Sequence, residues 1–329
     1  MMTRAVLFAL SVSAILAGTT RAHSVTQGCG TAQPAVGGRS SHSLAYDTAR
    51  GKVVMFGGVS DNRLDQFPSS LWEWDGARWA CIAPSGPSGR MDAFLAYDST
   101  RKRLVLFGGR RIGADRAQQH YLDTWEWDGR AWAKLDEKGP GPRVHGAVSF
   151  DPDRQSVVIN GGGDGEDMLS DTWEWKGTRW SAVPAKLPKG TLGDAMMRTS
   201  HGTTLLAAAS DDAPECKGLN RAVLYALRGN SIVDLASPGP CFSPLAPASA
   251  TATGLLMYAG WNGPNTQAES WTWSAGKWQR AATAPSRRRG TATAYDARRQ
   301  RVVLFGGEDD GGLLNDTWEW DGTAWRRIG

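Results

Sequence analysis

The chain has 329 residues, of which 37 are Lys or Arg and 33 are Asp or Glu, so its formal net charge is +4. This small excess is too weak to indicate a nucleic-acid or anionic-lipid partner, and we expect neither. The length suits one large domain or two ordinary ones.

The first 22 residues have the pattern of a secretory signal peptide. Arg4 supplies the positive charge, Ala5 to Ala17 form an apolar stretch, and Thr20-Arg21-Ala22 resembles a cleavage site before His23. The apolar stretch is too short to span a bilayer comfortably, and no other segment is apolar enough. We therefore predict export to the periplasm or the cell exterior, with no membrane span.

A lead segment at 23–38 precedes a first unit of four short strands. An alternating run is followed by a turn, an apolar run ending in Gly57-Gly58, a polar loop, and an aromatic hairpin with an Asp75-Gly76 turn. The predicted strands are 42–47, 53–56, 71–74 and the residues around Trp79.

The aromatic hairpin recurs about every fifty residues. Of the 16 tryptophans, 15 lie in its five copies, at 71–79, 123–132, 171–180, 270–278 and 316–325. So regular a placement indicates packing between repeated units rather than a ligand platform.

Six units of four strands predict an all-β fold, a six-bladed β-propeller with four-stranded antiparallel blades. In the fourth unit strand two is expected at 203–210, and Tyr225 to Ile232 replaces the aromatic hairpin. In the fifth, the first strand is expected near Cys241 to Ala248. The predicted blades are approximately 39–83, 84–136, 137–184, 185–236, 237–282 and 283–329.

The double glycine, the loop, the Asp-Thr-Trp-x-Trp strand and the following Trp resemble the Kelch repeat, and the resemblance covers residues 39–329. It implies a propeller, commonly closed by a blade that combines strands from both chain ends. Here the last unit holds all four of its strands.

Four arginines recur eight residues before the Asp that ends strand one, and they are Arg39, Arg90, Arg143 and Arg288. The strand order places them near the top of the central channel. They form either a clamp for an anion or carboxylate, or structural ties between blades through carbonyls or a carboxylate. On the opposite face, an Asp caps each turn and an Arg three residues later is expected to be solvated.

Trp261 lies outside the packing register, on the loop after strand two of blade five. It is the best candidate for stacking on a sugar or clamping a peptide, and the alternative is that it packs over the blade edge. The long blade-two loop, with His120 and Tyr121, is expected to wall the same site. Loop acids at Asp164, Glu166, Asp167, Asp211, Asp212, Glu308, Asp309 and Asp310 do not match a calcium loop, so no metal or other cofactor is expected.

The four cysteines all follow the predicted signal peptide and can oxidise in an exported protein. Their positions near the same face favour the pairs Cys29–Cys81 and Cys216–Cys241, one of three possible pairings.

Enzyme motifs are mostly missing. The five histidines are scattered, and no nucleophile elbow or phosphate loop occurs. We therefore predict a monomeric, exported, Kelch-type binding module that recognises a glycan or protein through one loop face. The alternative is a sugar-active enzyme that resembles the Kelch-type sialic-acid mutarotases, with arginines holding the sugar carboxylate, or the galactose oxidases. A structural role in the cell envelope is a third option.

Overall fold

A computed structural model describes residues 29, 35–61, 66–136, 138–188, 191–198, 204–210, 216, 219–242, 246–261 and 267–329, with the backbone alone at 191–198 and 204–210. The predicted signal peptide, most of the lead segment, and Asp211 and Asp212 lie outside this part of the chain.

The first three blades are four-stranded antiparallel sheets. Blade one consists of β1 (Ser40–Asp47), β2 (Lys52–Val59), β3 (Leu71–Trp74) and β4 (Trp79–Ala83). Blade two consists of β5 (Phe94–Asp98), β6 (Arg103–Phe107), β9 (Thr124–Trp127) and β10 (Trp132–Asp136). Blade three consists of β11 (Ala147–Asp151), β12 (Ser156–Asn160), β13 (Thr172–Trp175) and β14 (Trp180–Val183).

Blades four to six follow the same order. Blade four consists of β15 (Thr191–Arg198), β16 (Thr204–Ser210), β17 (Asn220–Arg228) and β18 (Ser231–Asp234), with β19 (Cys241–Phe242) added beside β17. Blade five consists of β20 (Ala248–Ala250), β21 (Gly254–Ala259), β22 (Glu269–Ser274) and β23 (Lys277–Arg280). Blade six consists of β24 (Ala292–Asp296), β25 (Arg301–Phe305), β28 (Thr317–Trp320) and β29 (Trp325–Arg327).

Two blades carry a small ribbon after their second strand. The blade-two ribbon pairs β7 (Arg110–Ile112) with β8 (Gln118–His120), and the blade-six ribbon pairs β26 (Glu308–Asp309) with β27 (Gly312–Leu313). Both ribbons project from the face that holds the loops after strand two. We call this the top face.

The six sheets form a closed ring, which confirms the predicted six-bladed propeller. Each inner strand lies beside the inner strands of the neighbouring blades, and β1 of blade one also lies beside β24 of blade six. The first and last blades each keep four strands from one end of the chain, so the ring closes without strand exchange.

The apolar core is divided into layers between adjacent blades. Between blades six and one, for example, Trp74, Trp79 and Phe305 pack together, and the rings of Trp79 and Phe305 meet edge to face at 5.2 Å between centroids. The recurring tryptophans therefore fill the space between sheets, as the pattern predicts.

The paired glycines allow neighbouring blades to approach closely. Gly57 has φ +74°, and a Cβ on it would lie 2.3 Å from the carbonyl oxygen of Arg90 in the next blade. Gly58 has φ +85° and donates its N–H to that same oxygen over 2.8 Å. A side chain at Gly57 would strain the backbone and push blade two away, whereas one at Gly58 would collide with Ser40 and His42 of its own blade.

The prediction that the first strand of blade five lies near Cys241 to Ala248 was wrong. Cys241–Phe242 pairs with β17 of blade four, and the first strand of blade five is the short β20. Prolines at 238, 240, 244 and 247 explain the change, because they cannot donate to a sheet ladder.

Both predicted disulfides, Cys29–Cys81 and Cys216–Cys241, are present, each with a Cα–Cα separation of 5.4 Å. Such bonds persist in oxidising compartments. Within the described ranges, no helix is long and apolar enough to cross a membrane.

Candidate functional site: the top face

The repeated arginines lie beneath the top face and bond within the protein. Arg143 is 1% exposed, and its guanidinium donates to the carbonyl of Gly161 over 3.2 Å and to both oxygens of Asp171 over 2.9 and 3.1 Å. Arg90 and Arg288 make the same contacts, with Gly108 and Asp123 and with Gly306 and Asp316, respectively.

This geometry corresponds to a structural tie and leaves these three guanidiniums little room for a ligand. In each of these blades the arginine side chain joins the segment before strand one to the end of strand two and the start of strand three. The main chain joins neighbouring blades, because the carbonyl of Arg90 accepts from Gly58 in blade one.

The aspartates that hold these arginines also accept from tryptophan. Asp171 Oδ2 accepts from Nε1 of Trp173 over 2.6 Å. Burial alone would raise the pKa of Asp171, but the hydrogen bonds from Arg143 and Trp173 outweigh it and lower the pKa below its ordinary value. Asp123 and Asp316 follow the same pattern, so all three stay ionised at neutral pH.

Blade one departs from this arrangement. Ser70 stands where blades two, three and six have the aspartate, and it accepts from Nε1 of Trp72 over 2.9 Å. Arg39 is fully buried and donates to the carbonyl of Gly57 over 3.3 Å. Burial lowers the pKa of Arg39 to about 10, which still leaves it charged at neutral pH.

On the opposite face, the expected solvated arginines are in fact ion-paired. The aspartates cap the turns as predicted, with Asp98 Oδ1 accepting from the N–H groups of Thr100 and Arg101. Arg101 also bridges Asp98 and Glu126, at 2.7 and 2.5 Å. The prediction that this arginine is solvated was wrong, because the Glu of the Trp-Glu-Trp strand lies within its reach.

A polar cluster lies at the top of the channel, and we call it the channel-mouth cluster: Asp92, Arg110, Gln118 and His145. Arg110 donates to Asp92 Oδ2 over 3.1 Å, to Gln118 Oε1 over 2.8 Å, and to Nε2 of His145 over 3.0 Å. Because Arg110 can only donate, Nε2 of His145 must accept, so the ring is neutral with its proton on Nδ1.

The surroundings favour this neutral form. Burial lowers the pKa of His145, Asp92 opposes the change, and Arg110 lowers the pKa further. Asp92 and His145 both have left-handed backbones, with φ +58° and +55°, and occupy equivalent positions in blades two and three. The cluster anchors the base of the blade-two ribbon, and Arg110 is hydrogen-bonded to both Asp92 and His145.

The predicted ligand residues of blade two have separate roles. The ring of Tyr121 lies 3.8 Å from the guanidinium carbon of Arg90 and covers that buried charge. His120 lies in the ribbon, 3.5 Å from Gln118. Burial and Arg110 lower the pKa of His120, while Asp164 opposes them.

Trp261 belongs to a different part of the top face. In the order of a six-membered ring, blade five stands opposite blade two. The structure therefore does not bring His120 and Tyr121 together with Trp261.

Two arginines that the sequence analysis did not single out lie over Trp261. The guanidinium carbons of Arg287 and Arg289 are 4.2 and 5.3 Å from its ring centroid. Arg289 donates to Glu308 over 2.7 Å, and Arg287 pairs with Asp310. We call these five residues the rim cluster.

The rim cluster has donors that the described residues leave open. The side chain of Arg289 is 46% exposed, and only its Nε donates to a described residue. No described residue accepts from Nε1 of Trp261 either. The cluster therefore combines a half-buried aromatic ring with the exposed guanidinium of Arg289.

The arginines of the rim cluster flank a repeated one. The sequence has three consecutive arginines, Arg287 to Arg289, but only Arg288 has the spacing of the repeat. Successive side chains of an extended segment alternate in direction, so the residues on each side of a buried Arg288 point outward. That alternation is the signal that identifies Arg287 and Arg289.

The acidic loops have local partners. Asp164 accepts from the N–H groups of Glu166 and Asp167, and Asp309 accepts from Gly311. Among the residues with described positions, no three acidic, His or Cys side chains are grouped so as to hold a metal ion.

Comparison with known proteins identifies the fold. No protein-family model matches the chain, and no curated protein matches it in sequence. Among solved structures, the chain is similar to YjhT, with a TM-score of 0.63 and 14% identity over 91% of this chain and 99% of that one. At this identity the likeness extends to the propeller and not to individual residues.

Proposed function

We propose that the protein is an exported propeller that binds acidic glycans through the rim cluster of its top face. The observation that carries the proposal is the exposed guanidinium of Arg289, which lies 5.3 Å from the ring centroid of Trp261. An indole ring can stack on a sugar ring, and a guanidinium binds a carboxylate through paired hydrogen bonds.

The acids of the rim cluster are compatible with this role. Ion pairs at the surface contribute only about 0–1 kcal/mol, so a ligand carboxylate can replace Glu308 beside Arg289 at little cost. Glu308 also sets a preference, since it would repel a carboxylate placed on its own side of the guanidinium.

A binding role agrees better with the geometry than an enzymatic one. Sugar chemistry needs an acid–base pair open to the substrate. Asp92 and His145 lie 3.5 Å apart at the channel mouth, but Arg110 bonds to both. The disulfides support export, because a reducing cytosol would not maintain them.

Calorimetric titration with galacturonic acid and with galactose tests the proposal. We expect the acid to bind and the neutral sugar to bind at least about tenfold more weakly, with affinity falling as salt is added. Trp261→Ala and Arg289→Gln should each weaken binding of the acid.

Arg326→Gln is the matched control, because Arg326 is an exposed arginine on the outer strand of the same blade. It should leave binding unchanged. Equal binding of the two sugars, or full affinity in both rim variants, would contradict the proposal.

A further inference from the structure

We infer that the cleft on the blade-two ribbon is a second sugar subsite, so that the ligand is an acidic oligosaccharide and not a single sugar. The inference rests on the proposed function. The cleft has a volume of about 370 Å³ and is lined by Arg111, Gly113, Asp115, Ala117, Gln118 and Gln119. This size lies within the range of roughly 300–1,000 Å³ that is usual for small-molecule sites.

The side chains around the cleft have the chemistry of sugar recognition. Arg111 and Gln119 face each other across the ribbon, and no described residue bonds to either side chain. Asp115 uses Oδ1 to accept from Ala117 over 3.0 Å, and no described residue donates to its Oδ2. A guanidinium, an amide and a carboxylate oxygen can together bind a carboxylate and the hydroxyls beside it.

The cleft is also held in shape. The ribbon tip is closed by hydrogen bonds from Gly113 N–H to Ala117 and from Arg116 N–H to Gly113, over 2.8 and 2.9 Å. The channel-mouth cluster fixes the base of the ribbon through Arg110. A pre-formed site of this kind loses less entropy when it binds a sugar.

The cleft repeats the design of the rim cluster. At the rim, Trp261 from the loop after strand two of blade five meets Arg289 from blade six. Next to the cleft lining, the ring centroid of Phe67, from the corresponding loop of blade one, lies 5.9 Å from the guanidinium carbon of Arg111 in blade two. Both junctions thus place an aromatic ring beside an open arginine on the same face, two junctions apart in the ring.

Two subsites on one face favour a chain that reaches both. Once one residue of the chain is bound, the next subsite is occupied as an intramolecular event, and affinity rises steeply with chain length. The length at which affinity rises then measures the distance between the subsites.

Titration of the whole protein with galacturonic acid and its oligomers of increasing length tests the inference. We expect affinity to rise with length to a plateau about 100-fold above the monomer. Arg111→Gln should abolish the rise and leave the affinity for the monomer unchanged. Arg116→Gln, which removes the same charge from the same ribbon outside the cleft lining, should change neither.

The outcomes separate the two proposals. Suppose that monomer binding needs Arg289, but affinity does not rise with oligomer length, or still rises in Arg111→Gln. Either result overturns the cleft as a subsite and leaves the rim cluster as the binding site. If the rise of affinity with length needs Arg111, while Arg289→Gln leaves monomer binding unchanged, the cleft is supported as a sugar site and the rim cluster is overturned. No binding at any length overturns both.

Discussion

The indole N–H of Trp74 donates to Oε1 of Glu319 over 2.8 Å, although the two residues are 245 positions apart in the chain. Trp175 makes the same bond with Glu126 of the preceding blade over 2.7 Å. The junction of blades six and one therefore uses the same contact as an internal junction, and this explains how the ring closes without exchanging a strand.

Glu319→Ala should destabilise the protein by opening this junction. It leaves the buried N–H of Trp74 without its acceptor and removes the ion pair with Arg299, which lies 2.6 Å away. A buried donor that loses its acceptor costs about 1–3 kcal/mol. Thermal or denaturant unfolding measures the loss.

Glu174→Ala is the matched control for Glu319→Ala. Glu174 pairs with Arg154 and Lys176 as Glu319 pairs with Arg299, but the next blade has Leu227 where the others have Trp. We expect the Glu319 variant to lose about 1–3 kcal/mol more. Equal losses would show that the indole bond contributes nothing to closure.

Arg288→Met should destabilise the fold much more than the change of an exposed arginine. It leaves Asp316 buried without its cation, and breaking a buried pair in this way costs about 3–5 kcal/mol. Arg289→Met is the control one residue away, and it should cost less than about 1 kcal/mol because its pair with Glu308 is at the surface. Similar melting temperatures for both variants would contradict the structural role of Arg288 and favour a role in ligand binding.

The repeat pattern was enough to predict the blades because a hairpin is a local structure. The Asp-Gly turn, the two flanking tryptophans and the glycine pair each specify the backbone within about ten residues of sequence. The disulfide pairs also followed once the strand order had placed the cysteines near the top face.

The partners of side chains were harder to predict. Asp171 and Arg143 lie 28 residues apart, and nothing in the spacing indicates that one neutralises the other. Arg111, Arg287 and Arg289 lie outside the repeat, so the repeat spacing does not identify them. Their surroundings come from loops of two blades, and only the three-dimensional structure brings these loops together.

Trp132→Phe should cost less stability than Trp180→Phe. Nε1 of Trp180 donates to Oγ1 of Thr124 in the preceding blade over 2.9 Å. The position in blade one that corresponds to Thr124 is Leu71, which faces Trp132 and cannot accept a hydrogen bond through its side chain. The buried Nε1 of Trp132 therefore has no acceptor among the described residues. The two phenylalanine variants should therefore differ by about 1 kcal/mol in unfolding free energy. An equal or larger loss at Trp132 would contradict this account.

His42 gives the closing junction a dependence on pH. It is 5% exposed, lies edge to face with Phe305, and neither ring nitrogen has a partner among the described residues. Burial, aided by the charge of Arg39, lowers the pKa of His42 from 6.5 to about 3. Between these values the unfolded chain binds the proton more readily than the folded protein. Stability is therefore lost as the pH falls from about 6.5 towards 3, by at most about 1.4 kcal/mol per pH unit.

His42→Leu should stabilise the protein at neutral pH by about 1–2 kcal/mol, because it replaces unpaired buried nitrogens with an apolar group in an apolar layer. It should also remove this contribution from the pH dependence between pH 4 and 6. His42→Asn separates the two effects, since it cannot titrate but keeps polar atoms in the junction. We expect it to flatten the pH dependence without raising the melting temperature. If the wild type and His42→Leu lose stability in parallel on acidification, groups other than His42 govern the acid sensitivity of the ring.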